Sequence, residues 1–192
     1  MRSSRERSAR IAEVAATDPL TQSRNAFALI LVKLGRRDHT ERELDRALLR
    51  KGFSEAAIAA SIAKAKGEGL VNDQRLALVI ARINARSGKR GPRKVIATLR
   101  QKGLSAEMAQ AAAKSAFADF ATADEGEAKL IRFATRLLQR AKGETVHEKR
   151  VRVLRCLVTR GFELSEARRI VGIAETTLMT ENDSDDDAHA DE

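Results

Sequence analysis

Arginine recurs at every fourth position in Arg42, Arg46 and Arg50. On a helix each such step turns the side chain by only about 40°, so the three guanidinium groups form one cationic ridge. A second concentration lies in residues 86–94, RSGKRGPRK, with five Lys or Arg in nine positions. Its glycines allow backbone N–H groups to approach a phosphate at a helix start. It does not follow the G-x-x-x-x-G-K-[ST] order of a P-loop, and no strand pattern precedes it. It reads as a turn between helices that also presents charge. Two further helical stretches carry Arg100, and Arg152 with Arg155. The candidate polyanion contacts are therefore Arg42, Arg46, Arg50, Lys89, Arg90, Arg93, Lys94, Arg100, Arg152 and Arg155. For any single ridge, solvation of a helix's outer face explains the charges equally well.

Catalytic and metal chemistry find little support. Cys156 is the one cysteine, which excludes an intrachain disulfide and a Cys-rich zinc site. His39, His147 and His189 lie far apart in sequence. His39 beside Asp38 reads as a helix-entry turn, because nothing supplies a nucleophile or metal partner. Cys156 falls beside Leu157 on an expected inner stripe and reads as a buried structural thiol. Glu163 and Glu166 follow a helix start, where the dipole favours acids. No cofactor, metal or enzymatic activity is expected. Trp and Tyr are absent, so an aromatic platform for stacking many bases is not available.

The elements that position these residues must come from 192 residues, enough for one domain or a short array of small units. Thirty-three alanines and two prolines favour closely packed helices. The net charge is +9, but residues 181–192 hold seven of the 27 acids and no Lys or Arg. Without that tail, residues 1–180 carry +16, which shifts the balance toward a polyanionic partner. No apolar run approaches the roughly 18–20 residues of a membrane span, and a cytoplasmic location is expected. Residues 1–20 are basic and Ser-rich, as in an organelle transit peptide, but Glu6 and Glu13 argue against one. A solvated, disordered tail is expected at each end, over 1–20 and 181–192.

From about residue 21 the pattern is helical. Thr40 and Glu43 form a capping box, Ser54, Asn72 and Ser105 cap later helices, and Pro92 opens another. Residues 121–127 read as a linker or tight turn, followed by helices over about 124–141, 146–160 and 163–178. Aligning glycine stops reveals a repeat. Leu44, Leu48 and Gly52 correspond to Val95, Leu99 and Gly103, and to Val153, Leu157 and Gly161. The glycine stops are 51 and 58 residues apart. The apolar pairs share a helix face, with Leu44, Ala47 and Leu48 as the first inner stripe. The expected architecture is all-α, with three-helix, helix-turn-helix-like repeats over 21–70, 71–120 and 124–178, forming an elongated, curved array.

Taken together, these residues resemble the RecX family, bacterial regulators of the RecA recombinase. The first repeat carries His39-Thr40-x2-Glu43-Leu44, Leu48, Lys51-Gly52-Phe53 and Ile58. The junction Gly69-Leu70-Val71-Asn72-Asp73-x-Arg75-x-Ala77 is the most specific part. Arg86, Gly91-Pro92-Arg93 and Lys102-Gly103-Leu104 continue it, and Arg160-Gly161-Phe162 anchors a looser third repeat. The resemblance covers roughly residues 25–175. Leu76 stands where the family usually has an aromatic, and the first helix around Phe27 lacks the usual Tyr.

The resemblance implies a non-enzymatic protein that binds RecA and lodges in the groove of its DNA filament. It would restrain filament growth, lowering ATP hydrolysis, strand exchange and coprotease activity and so modulating DNA repair and the SOS response. The partners implied are RecA and, weakly and without sequence preference, DNA; a monomer is expected. The ridge and residues 90–94 would face the groove, and the acidic tail would compete with DNA. Two alternatives remain on the residues themselves. One is a helix-turn-helix-like protein acting on duplex DNA without a filament partner. The other is a passive helical scaffold for an acidic protein.

Overall fold

The computed structural model describes residues 11–14, 16–121, 124–143 and 145–187. Among these the regular elements are all α-helical. Helix α1 (Pro19–Leu34) begins where the Asp18 carboxylate accepts the N–H groups of Leu20 (3.1 Å) and Thr21 (3.0 Å), with Pro19 at the first position. Helix α2 (Glu41–Leu49) carries the capping box. The Thr40 hydroxyl accepts the Glu43 N–H (3.1 Å), and the Glu43 carboxylate accepts the Thr40 N–H (3.2 Å). Ser54 caps α3 (Glu55–Gly67), and Asn72 caps α4 (Asp73–Ser87) by accepting the Arg75 N–H at 2.8 Å. Then come α5 (Pro92–Gln101), α6 (Ala106–Ala121) behind Ser105, and α7 (Asp124–Arg140). Thr145 caps α8 (Val146–Thr159), and α9 (Leu164–Asp187) follows.

The glycine stops of α2, α5 and α8 close in the same way. Phe53, Leu104 and Phe162 donate N–H bonds back to Leu48, Leu99 and Leu157, while Gly52, Gly103 and Gly161 bond to Leu49, Arg100 and Val158. This paired pattern is the Schellman motif, which needs a left-handed residue at the glycine position. The three glycines have φ of 87°, 96° and 93°. In each case the residue after the glycine packs inward with the leucine it bonds to, and all six are buried. Burying each of these leucines contributes about 2 kcal/mol.

The chain divides into two compact units. One runs through Ala77 and includes Leu99–Met108; the other comprises Leu78–Thr98 and the chain from Ala109 onward. In the first unit, α1, α2 and α3 pack around Ile30, Leu44, Leu48 and Ile58. In the second, α7, α8 and α9 pack around Leu138, Leu157, Phe162 and Ile170. Residues 99–108, which lie within the repeat expected over 71–120, cluster with the first unit.

Several local expectations are corrected. The expected solvated tail does not extend to residue 20: residues 11–14 form a helical turn, Val14 packs on the first core, and Asp18 starts α1. Residues 1–10 lie outside the described residues. Helix α7 begins at Asp124, where the helix over about 124–141 is expected, so the expected linker over 121–127 does not extend past residue 123. Helix α9 continues past 178 to Asp187, into the segment expected to be disordered; residues 188–192 lie outside the described residues. Cys156 is half-buried rather than in the core.

Candidate functional site

The helix starts that carry the basic residues are tied to helix ends from the next repeat. In the first unit, the Thr40 hydroxyl donates to the Lys102 carbonyl at 2.6 Å, and the Thr40 residue is fully buried. Gly103 lies under the Arg42 stem, so a methyl group there would overlap it. In the second unit, the Gly91 N–H donates to the Arg160 carbonyl (2.8 Å) and the Arg93 N–H to the Gly161 carbonyl (3.2 Å). Gly161 lies directly against the backbone of Lys94. Both junctions bring the carbonyl end of one helix to the N–H end of another, so their partial charges are complementary.

Charged side chains close each junction. Glu43 accepts Lys102 Nζ at 3.0 Å and Arg37 at 3.1 Å, and lies 3.5 Å from His39 Nδ1. Burial alone would raise its carboxyl, but the bonds from Arg37, Lys102 and the Thr40 N–H outweigh it and hold the pKa down to about 2. His39 is pushed below its ordinary value by burial and by the Arg37 charge. In the second junction Arg93 pairs with Glu163, and the Arg160 guanidinium reaches the Lys89 carbonyl at 3.4 Å.

A depressed carboxyl pKa contributes stability that is present above the unfolded value near 4.5 and lost as pH falls toward 2. Glu43→Gln should therefore destabilise the chain at pH 7 by about 1–2 kcal/mol and flatten the loss between pH 4.5 and 2. Urea unfolding followed by helical circular dichroism at several pH values checks this. An unchanged acid slope would remove Glu43 from the junction.

Two family models match the chain: RecX, first three-helix domain, over residues 26–64, and RecX, second three-helix domain, over residues 72–112. The chain belongs to the RecX family. The regulatory protein RecX of Pelodictyon phaeoclathratiforme is 36% identical over 88 residues, which is 46% of this chain and 54% of that protein. That of Xanthomonas oryzae pv. oryzae is 39% identical over 79 residues, 41% of this chain and 49% of the relative. The chain thus spans about half the length of these curated relatives in the matched region. The crystal structure of RecX from Lactobacillus salivarius shares the fold with a TM-score of 0.70 at 21% identity, over 80% of this chain and 97% of that one. The relatives carry the name regulatory protein, and the family's three-helix domains are present here. Each junction involves these domains: Thr40–Glu43 lies within the first, and both Lys102-Gly103 and Gly91–Lys94 lie within the second.

Within this RecX frame the candidate residues fall into two groups. Arg42, Arg46, Arg50 and Arg100 belong to the first unit, and all four are exposed. Arg42 has a structural share, because its stem covers Gly103. Lys89, Arg90, Arg93, Lys94, Arg152 and Arg155 belong to the second unit and are exposed. Arg93 is engaged by Glu163, and the backbone and Cβ of Lys94 lie against Gly161. No described contact draws Arg152 or Arg155 to residues 89–94. Glu163, read as a helix-dipole residue, is instead the junction partner of Arg93. The hub role of Glu43 shows in the sequence only as a local cap, since its partner Lys102 lies 59 positions away.

Proposed function

We propose that this RecX-family chain binds the RecA recombinase and its DNA filament, lodges in the filament groove and restrains filament growth. ATP hydrolysis, strand exchange and coprotease activity of RecA fall as a result, and DNA repair and the SOS response are modulated. The protein acts without chemistry of its own and as a monomer, in the cytoplasm. The observation that carries the reading is both RecX three-helix domains together with exposed arginines at Arg42, Arg46 and Arg50 that have no ion pair among the described residues. A DNA-bearing groove is polyanionic and suits a body of +16. DNA contributes weakly and without sequence preference.

The junctions argue against the reading as a sequence-specific helix-turn-helix protein. Such readers present the N-terminal residues of a recognition helix to base edges. Here the first turns of α2 and α5 receive Lys102, Arg160 and Gly161. The outer rows of the helices remain free for backbone contacts, which carry affinity without sequence information.

The test is DNA-dependent ATP hydrolysis by the cognate RecA, titrated with this protein from well below the RecA concentration. Strong substoichiometric inhibition is the expected result, as for an agent acting on filament growth. Inhibition that only tracks sequestration of free DNA would overturn the reading.

A further inference from the structure

Helix α2 carries a second row beside its arginine ridge. Glu41, Asp45 and Leu49 are spaced by four and lie about 100° round the helix from Arg42, Arg46 and Arg50. This row forms one wall of a groove of about 500 Å3 between α2 and α3. Ile58 and Ile62 make its floor, and Glu55 stands on the α3 side. Leu49 is 47% exposed beside that floor, so its side chain is accessible to a ligand in the groove. Ala59 and Ala63 keep the α3 wall low, so a backbone can approach closely.

The charge of this groove is opposite to that of the body around it. Glu41 is engaged by Lys66 at 2.8 Å, which neutralises one end. Asp45 and Glu55 have no ion pair among the described residues. On a chain of +9 this is an acidic island with an apolar floor. Phosphate is repelled there, so the groove and the adjacent ridge select different ligands.

We propose that the groove between α2 and α3 docks an amphipathic helix of a protein partner, with aliphatic side chains on the floor and Lys or Arg beside Asp45 and Glu55. Helix-in-groove recognition uses apolar anchors at i, i+3, i+4 and i+7, and here Leu49 offers the exposed apolar contact above the buried floor of Ile58 and Ile62. The ridge then meets nucleic acid while the neighbouring row of the same helix meets protein. The groove's chemistry does not depend on RecA, but identifying the partner helix as a RecA segment rests on the reading above.

The experiment uses methyl-labelled full-length protein and two helical probe peptides, one of leucine and lysine and one of leucine and glutamate. The Leu/Lys peptide should shift the methyl signals of Leu49, Ile58 and Ile62, and the Leu/Glu peptide should leave them in place. Asp45→Lys/Glu55→Lys, at one half-buried and one exposed position, should weaken the Leu/Lys peptide about tenfold or more while leaving single-stranded DNA affinity equal or higher. The same variant should lose binding to DNA-free RecA. Groove methyls unmoved by the Leu/Lys peptide would overturn the proposal, as would shifts caused only by raising the protein's own concentration, which would place a second copy there. If the peptide binds but the wild-type chain ignores RecA, the groove stands and the RecA reading falls. If RecA binding is intact in the double variant, the groove is not the RecA contact and that identification is overturned.

Discussion

Gly91→Ala is expected to destabilise the chain by about 3 kcal/mol, an effect at the top of the usual range for overpacking. A methyl on Gly91 would overlap the Gly161 carbonyl group and the Phe162 nitrogen. These are backbone atoms, fixed by the Schellman closure of α8 and by the buried Phe162. They cannot rotate away as a side chain would. Relief requires separating the two strands of backbone, which breaks the bonds from Gly91 to Arg160 and from Arg93 to Gly161. Each bond contributes about 1 kcal/mol. For a chain of this length the melting temperature should fall by roughly 10 °C. Gly172→Ala is the control in the same unit. It lies inside α9 with nothing near its missing methyl, so alanine should stabilise by about 0.5–1 kcal/mol. Circular dichroism melts of the two variants decide the matter, since the chain has no Trp or Tyr to report by fluorescence. Melting of Gly91→Ala within a degree of wild type would mean that the junction is loose. The same variant should also disturb residues 89–94, whose position depends on that contact.

The helices were legible in the sequence wherever their signals are local. Thr40 with Glu43, Ser54, Asn72 and Ser105 satisfy N–H groups within three residues of themselves, so spacing alone locates them. The glycine stops are local as well, since each Schellman closure spans six residues. Asp18-Pro19 is equally local, but it sits in a basic, Ser-rich stretch whose composition reads as a tail. The continuation of α9 to Asp187 runs against the acidic composition of that segment, and nothing in its spacing signals it. The junctions were not legible. Gly91 reads as the turn before Pro92, and nothing in that stretch points to Arg160. Arg93 reads as an outward charge until Glu163 is brought to it by the fold. The same limit applies to the groove. Asp45 and Leu49 look like ordinary outer-face residues until α3 supplies Ile58 and Ile62 beside them.

Reversing the arginine ridge should produce the largest functional loss, provided the junction beneath it is preserved. Arg42 complicates the experiment, because its stem covers Gly103 while its guanidinium faces solvent. Arg42→Gln/Arg46→Glu/Arg50→Glu keeps three side-chain carbons at position 42 and still removes the whole cationic row. Arg46 and Arg50 have no such packing role, so their reversal should leave the melting temperature close to wild type. If each arginine meets one phosphate, the slope of log affinity against log salt for single-stranded DNA should fall by about 2. Affinity at low salt should fall about tenfold or more, with inhibition of RecA ATP hydrolysis falling in parallel. The salt slope separates the direct explanation from a general one. A change in net charge alone weakens binding at a distance but does not remove counterions released at specific phosphates. A variant that folds, keeps the wild-type slope and inhibits as well as wild type would clear the ridge of any contact. The nucleic-acid contact would then have to lie with Arg100 or with the second unit's group at Lys89, Arg90, Lys94, Arg152 and Arg155.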